Sequence, residues 1–450
     1  MTDLSVVEIC AGAGGQSLGL HLAGFRHELA IELDPAASAT LQVNFARLLK
    51  EEVARDLNLS KTDPSVSAEA ERRAADLVRT GDVADVDVWD PAEHKGVALL
   101  AGGVPCPPFS IAGKQLGATD ERDLFAWAVE LAGRMKPQAV LLENVRGLSS
   151  PRFAAYRQAV IDRFEDFGYV ADWELLEARD FGVPQLRPRF VLVALKRKFA
   201  PYFEWPEGKP TQETVGSALL PMMEANGWPG AADWAADAKG IAPTIVGGSK
   251  KHGGADLGPT RAKRAWAALG VDGHGLADTA PDEDFVVPAH GRGPKLTCEM
   301  VQRLQGWSGP EYEQWVFTGR KTSRYRQIGN AFPPPVARAV GSSIASALRM
   351  EGDPARLSAE RKMHDEVYRL LRDHGGWLTA DRIYQLVGGR LSIDEIAKRV
   401  QIIGRDFDIE TRARANRVSW RLGEFKAFRG QEDHQRHAAF VERRSRSRIS

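Results

Sequence analysis

Between residues 5 and 196 short apolar runs alternate with stretches of helical spacing, and that alternation restricts the fold more than any other feature of the chain. Val6-Val7-Glu8-Ile9-Cys10 leads into the turn Ala11-Gly12-Ala13-Gly14-Gly15. A helical stretch at 17–22 follows, then a second apolar run at 27–31 that ends at Glu32. Residues 46–80 are rich in Glu, Arg, Ala and Leu, with the spacing of one or two surface helices broken near 60–67. Strands are expected at 97–101, 139–142, 169–175 and 190–195, and helices at 124–136 and 152–167. Such alternation belongs to a sheet covered by helices on both faces. The expected class is α/β, a doubly wound Rossmann-like sheet, with its ligand crevice outside the carboxyl ends of the strands.

The texture changes near residue 200. Residues 200–290 are rich in Pro, Gly, Trp and Ala, with weak periodicity, and read as a separate irregular module. Within it, residues 245–254 are glycine-rich and basic, which suits a loop beside a polyanion and equally a plain flexible loop. Helical patterns return over 295–349, so the main domain is expected to be 1–199 plus 291–349. Beyond the break Glu351-Gly352-Asp353-Pro354, helical stretches at 359–372 and 393–401 and a strand at 418–422, read as helices followed by a short strand pair, suggest an α+β, winged-helix-like extension over 355–425. The tail 426–450, with Arg443, Arg444, Arg446 and Arg448, reads as a solvated basic end or as an arm touching phosphates.

Composition excludes some classes and leaves others open. Sixty basic and 60 acidic residues balance, which neither supports nor excludes a nucleic-acid partner, since a basic cleft can be offset elsewhere. No apolar run reaches the roughly 18 residues of a membrane span. The N-terminus lacks the basic start of a secretory signal. Cys10, Cys106 and Cys298 are too scattered for a disulfide framework or a zinc site, so no metal is expected and a cytoplasmic, reducing setting is.

Three places carry candidate chemistry. The glycine-rich turn can hold an anionic group on backbone N–H groups, and Glu32 ends the next strand, where an acid can meet ribose hydroxyls. The spacing is not that of the dinucleotide fingerprint, and a tight turn without ligand remains an alternative. Cys106 follows an apolar run and sits between Pro105 and Pro107. A lone cysteine is more often a buried thiol than a nucleophile, but a stiff turn at a strand's end favours the second role. Glu143, in Glu143-Asn144-Val145, closes another run and would face the same crevice, unless it only caps a helix. Arg187 and Arg189 alternate at a strand's start and would share one face, holding a phosphate or carboxylate or forming an exposed basic edge.

Taken together, these segments resemble the C5-cytosine DNA methyltransferase family over roughly 4–345. Cys10-Ala11-Gly12-Ala13-Gly14-Gly15 is similar to its first motif, with Cys10 where phenylalanine is usual. Pro105-Cys106 resembles its catalytic dipeptide, Glu143-Asn144-Val145 its ENV motif, and Gln185-Leu186-Arg187-Pro188-Arg189 its QxRxR motif. Arg326-Gln327-Ile328-Gly329-Asn330-Ala331 resembles its last motif, and Thr244-Ile245 the Thr-Leu signature of its target-recognition region. Pro107, Ala112 and Met300 depart from residues often found in the family, without removing a reacting group.

The resemblance implies a DNA cytosine-5 methyltransferase that uses S-adenosyl-L-methionine and releases S-adenosyl-L-homocysteine. It implies Cys106 as nucleophile on cytosine C6, Glu143 as the carboxyl that offsets charge on the pyrimidine, and Arg187 and Arg189 as supporting cations. The cofactor would be held by Cys10, Ala11, Gly12, Ala13, Gly14, Gly15, Glu32, Leu33, Asp82, Val83, Pro105, Leu124, Asn330 and Phe332. Asp82 would meet the adenine amino group, and Asn330 would help close the site. Duplex DNA would be contacted by Ser110, Lys114, Gln115 and Arg122 of a lid after Cys106, and by Gln185, Thr244, Lys250 and Lys251. The base must be flipped to be reached. The implied setting is a bacterial restriction–modification system with a cognate endonuclease, the enzyme acting as a monomer. A tRNA methyltransferase and a DNA-binding regulator with secondary methylation are the rival readings.

Overall fold

The computed structural model describes residues 4–105, 124–247, 254–287, 292–354, 365–414 and 417–426. The first half is β1 (Ser5–Ile9), α1 (Gly15–Leu22), β2 (Arg26–Glu32), α2 (Pro35–Leu57), α3 (Pro64–Leu77), β3 (Val78–Thr80), β4 (Leu99–Gly102), α4 (Leu124–Met135), β5 (Ala139–Val145), α5 (Ala154–Asp166), β6 (Tyr169–Glu177) and β7 (Pro188–Lys196). Two Asp-Pro pairs start the long surface helices. Asp34 accepts from the Ala36 and Ala37 amides and Asp63 from that of Ser65, with Pro35 and Pro64 in the first turns.

These strands form a seven-stranded sheet in the order β3-β2-β1-β4-β5-β7-β6. The period-two pattern divides its side chains between two cores. Val7, Ile9, Leu100, Val140 and Leu142 face α4 and α5. Val6, Leu99, Ala101, Ala139 and Leu141 face α1 and the late helix α11 (Pro334–Arg349). The fold is therefore doubly wound α/β. One strand breaks the parallel pattern, because β7 runs antiparallel to both β5 and β6. The segment 178–187 between β6 and β7 is too short for the crossover a parallel neighbour needs. The reversal brings the start of β7 to the carboxyl end of β5, with Arg189 opposite Val145.

The irregular module holds α6 (Val215–Met223), α7 (Ala231–Asp237) and α8 (Thr260–Ala267). Its apolar core, with Leu219, Trp234 and Trp266, continues without interruption into Leu296, Val301, Trp307 and Trp315. The expected boundary at 290 thus does not divide the packing. Next come α9 (Cys298–Leu304) and α10 (Lys321–Asn330). At the start of α9, the Met300 thioether takes the position of the acid in a capping box, 3.4 Å from the Thr297 amide.

The C-terminal region runs α12 (Glu366–His374), β8 (Leu378–Thr379), α13 (Ala380–Leu386), α14 (Ile393–Asp406), β9 (Phe407–Arg414) and β10 (Arg417–Phe425), with sheet order β8-β10-β9. The stretches expected at 393–401 and 418–422 fall inside α14 and β10, β9 supplies the second strand of the expected pair, and α13 was not anticipated. The region packs on α5. The Tyr368 hydroxyl donates to Asp162, Arg372 pairs with Asp162 at 3.0 Å, and the Tyr156 and Phe425 rings meet edge-on at 5.8 Å.

Candidate active site

Two cavities lie at the carboxyl edge of the sheet, where doubly wound folds hold ligands. The first, of 390 Å³, is walled by the turn after β1, the end of β2, the segment after β3 and the α10–α11 junction. Cys10, Ala11, Gly12, Ala13, Gly15, Glu32, Leu33, Asp82, Val83, Pro105, Leu124, Asn330 and Phe332 all line it. Gly14 does not. It is the left-handed N-cap of α1, and a Cβ there would come within 2.2 Å of the Trp315 ring. Gly15 is needed for a close approach, since its Cβ would stand 2.1 Å from the Phe332 carbonyl.

Glu32 is fixed from both sides. One carboxylate oxygen accepts from Gly12 N–H and the other from Asp34 N–H, each at 2.7 Å. Burial raises its pKa, and these backbone bonds pull the other way. Asp82 Oδ1 accepts from Ala84 N–H at 2.9 Å, while Leu33 lays an apolar side chain, 67% exposed, along the wall. Cys10 has a left-handed backbone, φ 51°, and burial followed by Glu32, Asp82 and Glu8 pushes its thiol far up. It is thus a neutral lining group. Among the lining residues missed from sequence are two buried polar ones, Glu8 and Gln16. Glu8 is fully buried, accepting from Ser17 Oγ at 2.7 Å and lying 3.1 Å from His27 Nε2. A lone acid inside Val6-Val7-Glu8-Ile9 was the available signal. Neither amide atom of the buried Gln16 has a hydrogen-bond partner among the described residues, nor has Glu8 Oε1.

The second cavity, of 460 Å³, takes its wall from Val104, the residues from Glu143 to Gly147, Arg187, Arg189, Thr244, Ile245 and Gly329. The two share Gly103, Pro105, Glu143 and Asn330. Cys106, next along from this shared wall, lies outside the described residues, as do Ser110, Lys114, Gln115, Arg122, Lys250 and Lys251.

Glu143 is held at the shared wall by Arg189, whose Nε is 2.6 Å from Glu143 Oε1. Burial raises the carboxyl's pKa despite the opposing pull of Arg189 and then Arg187. Asn144 ties β5 to the strand exit before Cys106, donating to the Val104 carbonyl at 3.2 Å. Arg187 differs from Arg189. Its guanidinium donates to the carbonyls of Ile245 (2.6 Å), Gly329 (2.6 Å) and Ala331 (2.9 Å). Burial, then Arg189, lowers its pKa. It therefore joins three distant segments and acts through them.

Gln185 corrects an expectation. It is fully buried. Its amide nitrogen donates to the Leu304 carbonyl and to Gln305, and its oxygen accepts from Ile245 N–H. It has no face to offer DNA, because its polar groups anchor the segment that carries Thr244. The Thr244 hydroxyl in turn donates to the Leu186 carbonyl. Gly247 and Gly329 approach so closely that a Cβ on Gly329 would stand 2.6 Å from Gly247.

The profile of the C-5 cytosine-specific DNA methylase family matches residues 4–346. The chain belongs to that family. It is similar to type II methyltransferase M.NaeI of Lentzea aerocolonigenes, 58% identical with both chains covered in full. It is also similar to type II methyltransferase M.NgoMIV of Neisseria gonorrhoeae, 42% identical over 77% of this chain and 98% of that one. The protein is a DNA cytosine-5 methyltransferase, of a family that generally uses S-adenosylmethionine. Among its described residues no helix is long and apolar enough to cross a membrane.

Proposed function

We propose that this methyltransferase flips one cytosine out of a short, specific duplex site and methylates it at C5 through a covalent bond from Cys106 to C6. The observation that supports this reading is the meeting of two cavities at Gly103, Pro105, Glu143 and Asn330. A cofactor on one side and a flipped base on the other would touch across that wall.

The residues of the first cavity suit S-adenosyl-L-methionine by the chemistry of their groups. Glu32 can accept from ribose hydroxyls, Asp82 can accept from an amino group on a ring lying against Leu33, and the unpaired amide of Gln16 can meet the amino-acid end. Bound there, the group supplies an electrophilic methyl on a sulfonium.

In the second cavity Cys106 adds as thiolate to C6 of the cytosine, which makes C5 a nucleophile. Glu143, kept protonated to higher pH by burial, donates toward ring nitrogen N3 and offsets the charge that gathers as the C–S bond forms. Arg189 orients that carboxyl, and Asn144 orients the turn leading to Cys106. After the methyl has passed to C5, loss of the C5 proton and departure of the thiolate restore the ring. Flipping costs a few kcal/mol of stacking, which contacts from the lid and from the module after residue 200 would offset. Both relatives carry the type II name, which favours a modification enzyme acting as a monomer beside a cognate endonuclease in the bacterial cytoplasm.

The test is methylation of a duplex library containing all short sites, with purified protein and S-adenosyl-L-methionine, read by bisulfite sequencing. The expected result is modified cytosines confined to one motif and lost in Cys106→Ala. Absence of methylation by a protein that binds the cofactor would overturn the reading.

A further inference from the structure

The C-terminal region is not accounted for by the reaction. The match to M.NgoMIV covers nearly all of that relative yet leaves 23% of this chain unmatched. That shortfall is the size of the region beyond residue 346, where the family profile also ends. We propose that the arginine face of the β9–β10 hairpin is a second contact to duplex DNA, one that holds phosphates without reading sequence. The proposal rests on DNA being the substrate.

Register makes the face. Across the hairpin Ser419 is paired with Arg412 and Arg421 with Glu410, while Trp420 pairs with Thr411. Side chains alternate along a strand, so Arg412, Arg417 and Arg421 fall on one side and Trp420 on the other. Trp420 is buried in the core shared with α5, and Ile409 and Leu422 pack against that core. The arginine side therefore faces outward. Arg421 is matched by Glu410. Arg412 and Arg417 are exposed, and neither has a carboxylate within ion-pair distance among the described residues. The Arg412 guanidinium lies 3.8 Å from the Trp377 ring centre. Stacking holds it in place while leaving its in-plane donors free for phosphate oxygens.

The neighbouring helix indicates what this contact does not do. In a helix-turn-helix the second helix enters the major groove with its N-terminal residues at the base edges. Here that helix is α14, and its first turn carries Asp394 and Glu395, both exposed. Carboxylates at the leading end oppose entry between phosphates. The hairpin is left as the DNA-facing element, and because α12 and Phe425 are anchored on α5, it moves with the catalytic body.

The experiment uses the full chain and a specific and a random duplex, with the dissociation constant followed against KCl by fluorescence anisotropy. Each phosphate contact contributes about 0.9 to the slope of log K against log salt. Arg412→Gln/Arg417→Gln is expected to lower that slope by about 1.8 on both duplexes. The urea midpoint, the methylated motif and the turnover rate at saturating DNA should stay unchanged. Arg412→Lys/Arg417→Lys should keep most of the slope, which a purely structural stacking role would not allow. An unchanged slope in the glutamine variant, or a loss seen on single-stranded RNA but not on duplex DNA, overturns the proposal. Methylation by the unaltered protein is read separately, so failure of the reaction itself would not be mistaken for failure of this contact.

Discussion

The cofactor-side cavity takes half of its wall from residues 8–37, one β–turn–α–β passage, whereas the base-side cavity collects 103–105, 143–147, 187–189, 244–246 and 329–330. The first is made by backbone conformation close in sequence, with a left-handed turn, two glycines and a carboxylate held by amides. The second exists only once far segments have been joined, and a buried arginine with three carbonyl partners does the joining. A local site fails by steric change in one turn. A gathered site fails by losing its joints, even where the altered residue never touches substrate.

The variants that separate the two cases range from large effects to small. Glu143→Gln should slow single-turnover methylation about 10²–10⁴-fold, with cofactor affinity by calorimetry little changed. Equal damage to both quantities would show that the shared wall belongs to one site. Because burial raises the Glu143 pKa, its proton is lost only above the ordinary carboxylate range, so the native rate should carry a limb that falls with rising pH. That limb should be missing from the pH profile of the glutamine variant. Arg187→Ala should cost about 3–5 kcal/mol in urea unfolding, since three buried carbonyls lose a charged donor. Arg187→Lys should recover little, having no planar fork to span them. Gly15→Ala should cost about 1–3 kcal/mol and weaken cofactor binding before it affects DNA binding, because its methyl group would meet the Phe332 carbonyl. Thr244→Val, which removes one hydroxyl bond to Leu186, should cost about 0.5–1.5 kcal/mol and appear mainly in DNA affinity.

The same contrast governs what could be read from the sequence. Sheet and helices were legible because the apolar period is a local signal, and the residues of the glycine-rich turn all proved to line the first cavity except Gly14. The direction of β7 was not legible from its composition, although the short link from β6 implied it. Gln185 was placed on DNA by the family resemblance, as the first residue of the QxRxR motif. Its real partners, Leu304 and Gln305, lie more than a hundred residues away, and no local pattern announces them. Arg187 and Arg189 look equivalent in sequence, and only the carbonyls around one and the carboxyl beside the other divide their roles. In the C-terminal region the partner of the strand at 418–422 was expected but not located, because the polar, arginine-rich alternation of β9 lacks the apolar run used to recognise strands.

The packing of α1 against α11 has a consequence in time. Gly19 sits where a Cβ would meet the Pro334 carbonyl and Ala337, and Gly15 abuts Phe332, so the first helix rests on a partner more than three hundred residues downstream. At translation rates of 5–20 residues per second, the opening turn would wait roughly 15–60 s on the ribosome for that partner. Throughout that interval the nascent chain would have its glycine-rich turn without the wall that closes it. Binding of the cofactor should therefore begin only when synthesis has passed α11, making this late helix the clock for the earliest motif.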